Sequence, residues 1–68
     1  MPLSARNHLK GVVTDVLLGT VTALVTAKVG DNVVESVITK QSAEELKLKK
    51  GDQVTAVIKA TEVMIQKD

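Results

Sequence analysis

The chain has 68 residues and a mass of 7.2 kDa, which is the size of one small domain. Its contents of 44% hydrophobic and 25% charged residues are typical of a globular protein and not of a disordered segment. A net charge of +1 and the absence of Phe, Trp and Tyr argue against nucleic-acid binding, since the chain offers neither a strongly basic surface nor an aromatic platform for bases. Without cysteine it has no disulfide or thiolate metal site. No apolar run approaches the roughly 20 residues of a membrane span, so we expect a cytoplasmic protein.

The short length also predicts association between copies of the chain. Domains of this size usually need disulfides, a metal or oligomerisation to supplement a thin core. Disulfides are impossible here, and a single histidine without cysteine makes a zinc site improbable. We therefore expect a homo-oligomer that buries valine-rich faces between subunits, with a stable monomer as the alternative.

The first half of the chain has the pattern of three strands. Twelve valines and seven threonines favour strand over helix. Apolar residues between positions 8 and 18 predict the first strand, and a period of two over 21–29 predicts the second. The run Gly30-Asp31-Asn32 predicts a turn, and 33–39 a third strand. Residues 21–39 should therefore form a β-hairpin.

The second half predicts a short helix and two further strands. The run Ser42-Ala43-Glu44-Glu45 has the pattern of a capping box and predicts a helix over 42–49, with Ser42 as the N-cap. Three lysines, at positions 47, 49 and 50, would then lie in the last turn, and Gly51 would follow the helix as its C′ residue. Alternation over 54–60 predicts a fourth strand, and residues 63–65 a fifth.

This order of elements predicts an all-β fold. Three strands, a short helix and two strands match a five-stranded OB-like Greek-key barrel with one short helix between strands 3 and 4. A split SH3-like barrel is the structural alternative. We expect residues 1–68 to form a single domain, since no repeat, linker or low-complexity segment interrupts the chain.

The sequence lacks the residue constellations of an enzyme. Its only histidine, His8, has no acidic neighbour in sequence, and the four glycines stand alone and form no phosphate loop. No His, Asp or Glu cluster has the spacing of metal ligands. We expect a non-catalytic protein with no cofactor and no bare metal cation.

Three polar clusters are better suited to an anion. They are Ser4-Ala5-Arg6-Asn7, the strand-to-helix junction from Thr39 to Ser42, and Lys59-Ala60-Thr61. Hydroxyl, guanidinium, ammonium and backbone N–H groups are the donors that a tetrahedral oxyanion requires. Each cluster also has a simpler explanation: a frayed N-terminal arm, a helix cap and a solvated edge lysine, respectively.

Taken together, these clusters resemble the molbindins, small molybdate-binding proteins built from one Mop domain of the TOBE type. The resemblance runs through essentially the whole chain. It is carried by Ser4-Ala5-Arg6-Asn7 with Leu9-Lys10-Gly11, by Ile38-Thr39 with Ser42, Glu45 and Leu46, and by the segment from Thr55 to Met64. The opening and closing segments are the specific ones.

The resemblance implies a homohexamer, a trimer of dimers, that binds molybdate or tungstate at subunit interfaces for storage or homeostasis. Carried over by position, one subunit would supply Ser4, Ala5, Arg6, Lys59 and Ala60, and its neighbour would supply Thr39 and Ser42. A second type of site is implied less specifically, around Asn7, His8, Gly19, Thr20 and Val21. The ligand would be the oxyanion itself, with no nucleic acid and no membrane as partner.

One residue departs from the pattern of related domains, and one alternative function is compatible with the predicted fold. Related domains in molybdate-responsive regulators can carry a basic residue where this chain has Glu45, whose carboxylate would repel an anion unless the capping box turns it away. The alternative function is a non-catalytic OB-fold interaction module that binds nucleic acid or protein.

Overall fold

The computed structural model describes residues 4–68, which form one antiparallel sheet of four strands and one short α-helix. The strands are β1 (Asn7–Leu18), β2 (Thr22–Val29), β3 (Asn32–Thr39) and β4 (Gln53–Ile58), with the helix α1 (Lys40–Glu45) between β3 and β4 and a short 3-10 helix (Ala60–Glu62) after β4. The strand order is β3-β2-β1-β4. The all-β class, the first four strands and the place of the helix are confirmed.

The long strand β1 joins the two halves of the sheet. Its first half pairs with β4 and its second half with β2, and Val12 is the residue that has a partner on both sides. Two further backbone hydrogen bonds extend the contact towards β4, from the Val13 N–H to the Asp52 carbonyl and from the Gly51 N–H to the Val13 carbonyl, both at 2.8 Å. β1 therefore fixes where both of its neighbours lie.

A β-bulge in β1 reconciles the spacing of its inward-facing valines. Val13 pairs with Ala27 and Val16 pairs with Val25, and these two partners are buried on the same face of β2. Two residues three apart on a regular strand face opposite sides. The extra residue Thr14 removes this conflict, and its hydroxyl donates to a β2 carbonyl oxygen at 3.3 Å.

The core of the single chain is small. Its buried residues are Val13, Ala23, Val25, Ala27 and Ala43. Ala43 lies on α1, so the helix covers one end of the sheet with a small side chain. Because four of these five side chains are Val or Ala from the sheet and the fifth is also Ala, the apolar area buried within one chain is limited.

The helix begins and ends earlier than predicted. Thr39, and not Ser42, is the N-cap, because the Thr39 Oγ1 accepts a hydrogen bond from the Ser42 N–H at 3.0 Å. The helix ends at Glu45, and Lys47 has a left-handed φ of 53°, which prevents its continuation. The predicted range of 42–49 was therefore wrong at both ends.

Two further predictions about the helix, the capping box and the basic last turn, were also wrong. Glu45 does not complete a capping box, since its Oε1 accepts from the Gln41 Nε2 at 3.1 Å. The helix has no basic residue in its last turn, because the lysines at 47, 49 and 50 lie beyond it. Gly51, with φ 96°, belongs to the turn before β4 and is not the C′ residue.

The predicted fifth strand is absent from the described chain, and the fourth ends earlier than predicted. β4 ends at Ile58 and not at residue 60, because the backbone turns into the 3-10 helix, where the Glu62 N–H donates to the Lys59 carbonyl at 2.9 Å. Residues 63–65 leave this turn without a strand partner, and Met64 and Ile65 are 92% and 88% exposed. Within one chain the sheet is open, with β3 and β4 as its edges.

Gly11 marks a close approach between β1 and β2. A Cβ atom at this position would lie 2.6 Å from the Lys28 carbonyl oxygen and 2.9 Å from the Val29 side chain. The first of these neighbours is backbone, which can yield only if the strands move apart. Position 11 therefore requires glycine for steric reasons.

We predict that Gly11→Ala lowers the free energy of unfolding by about 2 kcal/mol, which is roughly 8–16 °C in Tm for a domain of this size. Gly30→Ala is the matched control, because Gly30 has φ 60° and open space around the added methyl group. That control should cost only the backbone term of about 1 kcal/mol. Thermal unfolding at one protein concentration measures both, and equal Tm values for Gly11→Ala and the wild type would contradict the close approach.

Candidate functional site

Two of the predicted clusters, 51 residues apart, meet at one end of the β1–β4 pair. Asn7 pairs with Ile58 at the last rung, and the Asn7 side-chain amide donates to the Ile58 carbonyl oxygen at 3.2 Å. Continuing this register by one residue on each side brings Arg6 beside Lys59. The predicted residues that gather at this end are Ser4, Ala5, Arg6, Asn7, His8, Lys59 and Ala60.

This end of the sheet concentrates positive charge. The side chains of Arg6 and Lys59 are both exposed, and each residue adjoins the last pair of the register, Asn7 and Ile58. Arg6 offers a planar fork of N–H donors, whereas Lys59 offers a mobile ammonium group. Two cations beside each other repel, and a dianion bound between them would remove that repulsion.

Two side-chain hydrogen bonds hold the segment that precedes β1. The Asn7 amide anchors its base, as described above, and the His8 Nε2 lies 3.0 Å from the Ala5 carbonyl oxygen. The second contact turns back over three residues and engages the middle of the segment. Residues 4–6 are therefore tied to β1 through the Ala5 carbonyl, and Asn7, where β1 begins, is fixed to β4.

At the strand-to-helix junction, Thr39 and Ser42 form a linked pair. The Thr39 hydroxyl accepts from the Ser42 N–H at 3.0 Å and donates to the Ser42 Oγ at 2.8 Å. A hydroxyl has one proton to donate. The Thr39 proton is thus engaged within the pair, while the Ser42 hydroxyl proton remains available.

This junction lies at the opposite end of β1 from Arg6 and Lys59. Thr39 pairs with Thr22 at the start of β2, just beyond the turn that follows Leu18. The 12 residues of β1 run between these two groups, in a molecule whose longest extent is 35 Å. A single chain therefore does not bring its own Thr39 and Ser42 to its own Arg6 and Lys59.

The residues of the predicted second site are also divided between the two ends. Asn7 and His8 lie with the positively charged end. The turn formed by Gly19, Thr20 and Val21 lies with the junction, because the Lys40 N–H donates to the Val21 carbonyl oxygen at 2.7 Å. All three residues of the turn are exposed.

The sequence analysis did not foresee an open groove between the two edges of the sheet. The groove has a volume of about 710 Å³. Its walls come from the inward-facing residues of β3 and β4, its floor from β2, and Leu46 and Leu48 also line it. The main apolar lining residues are Val25, Ala27, Val34, Ile38, Val54, Ala56 and Ile58. One feature of the sequence could have indicated this groove. The apolar residues 63–65 were predicted as a fifth strand, and a fifth strand in a barrel must lie between two strand edges.

Residues 4–68 contain no group of three His, Asp or Glu side chains arranged to hold a metal ion. Within the same residues, no helix has the length and apolar character needed to cross a bilayer.

Comparison with known proteins gives consistent matches over nearly the whole chain. A TOBE domain model matches residues 3–65. The chain is 48% identical over 66 residues to molybdenum-pterin-binding protein 1 of Clostridium pasteurianum, which covers 96% of this chain and 97% of that protein. A solved molybdate binding protein from Sporomusa ovata superposes with a TM-score of 0.95 and 37% identity, over 98% of this chain and 100% of that one. The solved structure of MopII from Clostridium pasteurianum superposes with a TM-score of 0.89 and 46% identity, over 97% of this chain and 100% of that one. The matched proteins are binding proteins, as the lack of a catalytic constellation predicts.

We predict that Thr39→Val lowers the free energy of unfolding by about 1 kcal/mol, because it removes the acceptor that caps α1. Ser42→Ala keeps that cap, since Thr39 uses the Ser42 backbone N–H, and should change stability by less than about 0.5 kcal/mol. Urea unfolding of the two variants makes the comparison. A larger loss for Ser42→Ala than for Thr39→Val would show that Ser42 is the cap after all.

Proposed function

The chain belongs to the TOBE domain family, and on that premise we propose that it binds molybdate or tungstate for storage or homeostasis, at interfaces between its copies. The names of the relatives, which refer to molybdate and to molybdenum-pterin, support this ligand class. The observation that carries the proposal is the β1–β4 register, which brings Arg6 beside Lys59 from distant parts of the chain.

The charged half of the site would come from one subunit. Arg6 and Lys59 supply two positive charges, which match the two negative charges of molybdate. Neutral donors complete the shell: the Ser4 hydroxyl and the backbone N–H groups of Ala5 and Ala60. Hydrogen bonds from charged groups contribute more than neutral ones, about 1.5–3 kcal/mol each, so the two cations should dominate the affinity.

The neutral half would come from a neighbouring subunit, since Thr39 and Ser42 lie at the far end of β1 in the same chain. The hydroxyl groups of Thr39 and Ser42 would have different roles in the site. Ser42 has the free hydroxyl proton and donates to the anion, whereas Thr39 orients Ser42 by donating to its Oγ. Thr39 thus supports the site without needing to touch the ion.

The carboxylate of Glu45, on the helix that follows the junction, opposes an anion. It is not turned back towards Ser42 as a capping box would require. The Gln41 amide donates to it at 3.1 Å, and this bond disperses part of its charge. The proposed site therefore tolerates Glu45 through Gln41.

The exposed apolar surface supports the proposed oligomer. Leu17, Leu24 and Val37 pair directly across β1, β2 and β3 and form a continuous row on the outer face of the sheet. Large apolar side chains that are at least 63% exposed in the single chain are Leu17, Val21, Val33, Val37, Leu46, Met64 and Ile65. Surface of this kind marks interfaces between subunits.

The groove and the last apolar segment suggest how a five-stranded barrel is completed. Residues 63–65 of the same chain do not line the groove, although they are apolar and exposed. We propose that residues 63–65 of a second copy enter the groove as a fifth strand between β3 and β4. Reciprocal exchange of this kind gives a closed twofold dimer. Three such dimers, joined through the outer apolar rows, would give the hexamer.

The charge requirement is tested by the double variant Arg6→Ala/Lys59→Ala. We expect its affinity for sodium molybdate, measured by isothermal titration calorimetry, to fall at least about 100-fold, since two charge-assisted contacts are lost. Lys47→Ala/Lys50→Ala is the matched control, because it removes the same net charge from outside the site. Parallel titrations with tungstate and sulfate measure selectivity. An unchanged affinity in Arg6→Ala/Lys59→Ala would contradict the site.

The assembly is tested by native mass spectrometry with and without molybdate. Six chains of 7.2 kDa give about 43 kDa, and the hexamer should carry discrete oxyanion masses. A variant that ends after Glu62 lacks the exchanged segment and should lose the hexamer. A variant that ends after Ile65 keeps the segment and should retain it. Hexamers from the shorter variant would contradict the exchange.

A further inference from the structure

Residues 4–68 contain one histidine, His8, and its ring contacts the backbone of residues 4–6, the segment that precedes β1. The His8 Nε2 lies 3.0 Å from the Ala5 carbonyl oxygen, while the His8 side chain remains exposed. His8 pairs with Val57, and the side chains of both residues are exposed. The ring is therefore outside the apolar interior, and it contacts the segment that precedes its own strand.

We propose that His8 is a positioning residue that holds residues 4–6 in the anion-binding conformation, an inference that rests on the proposed function. The resemblance places His8 loosely near a second type of site, and in the structure its Nε2 lies 3.0 Å from the Ala5 carbonyl oxygen. Segments outside a sheet lose about 1–2 kcal/mol of backbone entropy per residue when they become ordered. A bond that orders the segment beforehand removes this cost from ligand binding.

The geometry of the peptide group explains what the bond controls. The Ala5 carbonyl and the Arg6 N–H belong to the same planar trans peptide, in which the two groups point in opposite directions. Fixing the carbonyl towards His8 therefore fixes the Arg6 N–H away from His8. Asn7, the residue after Arg6, is anchored to β4 by its side-chain amide. Arg6 therefore lies between two residues that are each held, Ala5 and Asn7. The direction in which the Arg6 side chain leaves the backbone follows from these two contacts.

The bond does not depend on the charge of the ring. Nε2 donates both in the imidazolium and in the neutral Nε2–H tautomer. The charged groups nearest to His8 in register are Arg6 and Lys10 on β1 and its preceding segment, and Lys59 beyond β4, all of which are cations. A donor at position 8, and not a titrating group, is what the proposed role requires.

Two variants separate this role from a general effect on the fold. His8→Phe keeps a planar ring but has no donor, whereas His8→Gln loses the ring but retains an N–H donor of similar reach. We expect His8→Phe to weaken binding of sodium molybdate about tenfold, with an unchanged Tm in the absence of ligand. His8→Gln should remain within about threefold of the wild type. Wild-type affinity in His8→Phe, or an equal loss in both variants, would overturn the proposal.

A measurement without ligand keeps the proposal separate from the proposed function. Backbone ¹⁵N relaxation of the Arg6 amide reports the order of the segment in the free protein. We expect an order parameter near 0.85 in the wild type and in His8→Gln, and one below about 0.6 in His8→Phe. An ordered Arg6 amide in His8→Phe overturns the positioning role even if molybdate binds. If the wild type binds no molybdate in the titration, the proposed function fails, and the relaxation data still decide whether His8 orders the segment.

Discussion

The structure depends on one strand that must satisfy two partners. β1 pairs with β4 through its first half and with β2 through its second half, and the bulge at Thr14 lies just after the point where the two pairings overlap. Without the extra residue, the buried Val13 and the half-buried Val16 would face opposite sides of the sheet. The same strand separates the two groups of polar residues. Its length of 12 residues places the positively charged end and the strand-to-helix junction too far apart to cooperate within one chain.

The strands were predictable because their signal is local. Alternation over 21–29 and the turn at Gly30 gave the central hairpin, which the structure confirms as Thr22–Val29 paired with Asn32–Thr39. The bulge was not predicted, because the first strand has apolar residues at both odd and even positions, and only the pairing with β2 shows which residue is extra. The helix boundaries failed for a different reason. Thr39 and Ser42 both have the side chain of an N-cap, and the backbone geometry at the end of β3 favours Thr39.

The fifth strand and the site show where prediction from one sequence ends. Alternation of apolar and polar residues identifies a segment with the pattern of a strand, but it does not identify the strand edge with which that segment pairs. Residues 63–65 have the right pattern and no strand partner within residues 4–68. The donors were found in the same way, as residue types suited to an oxyanion. The register of β1 and β4 then joined Arg6 to Lys59, whereas Thr39 and Ser42 were left at the other end. In the proposed site, a second chain brings these two groups of donors together.

In the proposed assembly, the small core and the ligand belong to the same physical problem. Residues 4–68 of one chain bury five small residues and leave an apolar groove open, so the proposed association would add to the stability of the fold. Association brings the hydroxyl of Ser42 to the paired cations of a neighbour, and these cations repel each other until an anion lies between them. A ligand that binds only the assembled form stabilises it by RT ln(1 + [L]/Kd), which is about 2.7 kcal/mol at a hundred times Kd. The oxyanion would thus act as the missing polar core of the interface, just as the exchanged strand would supply the missing apolar core of each barrel.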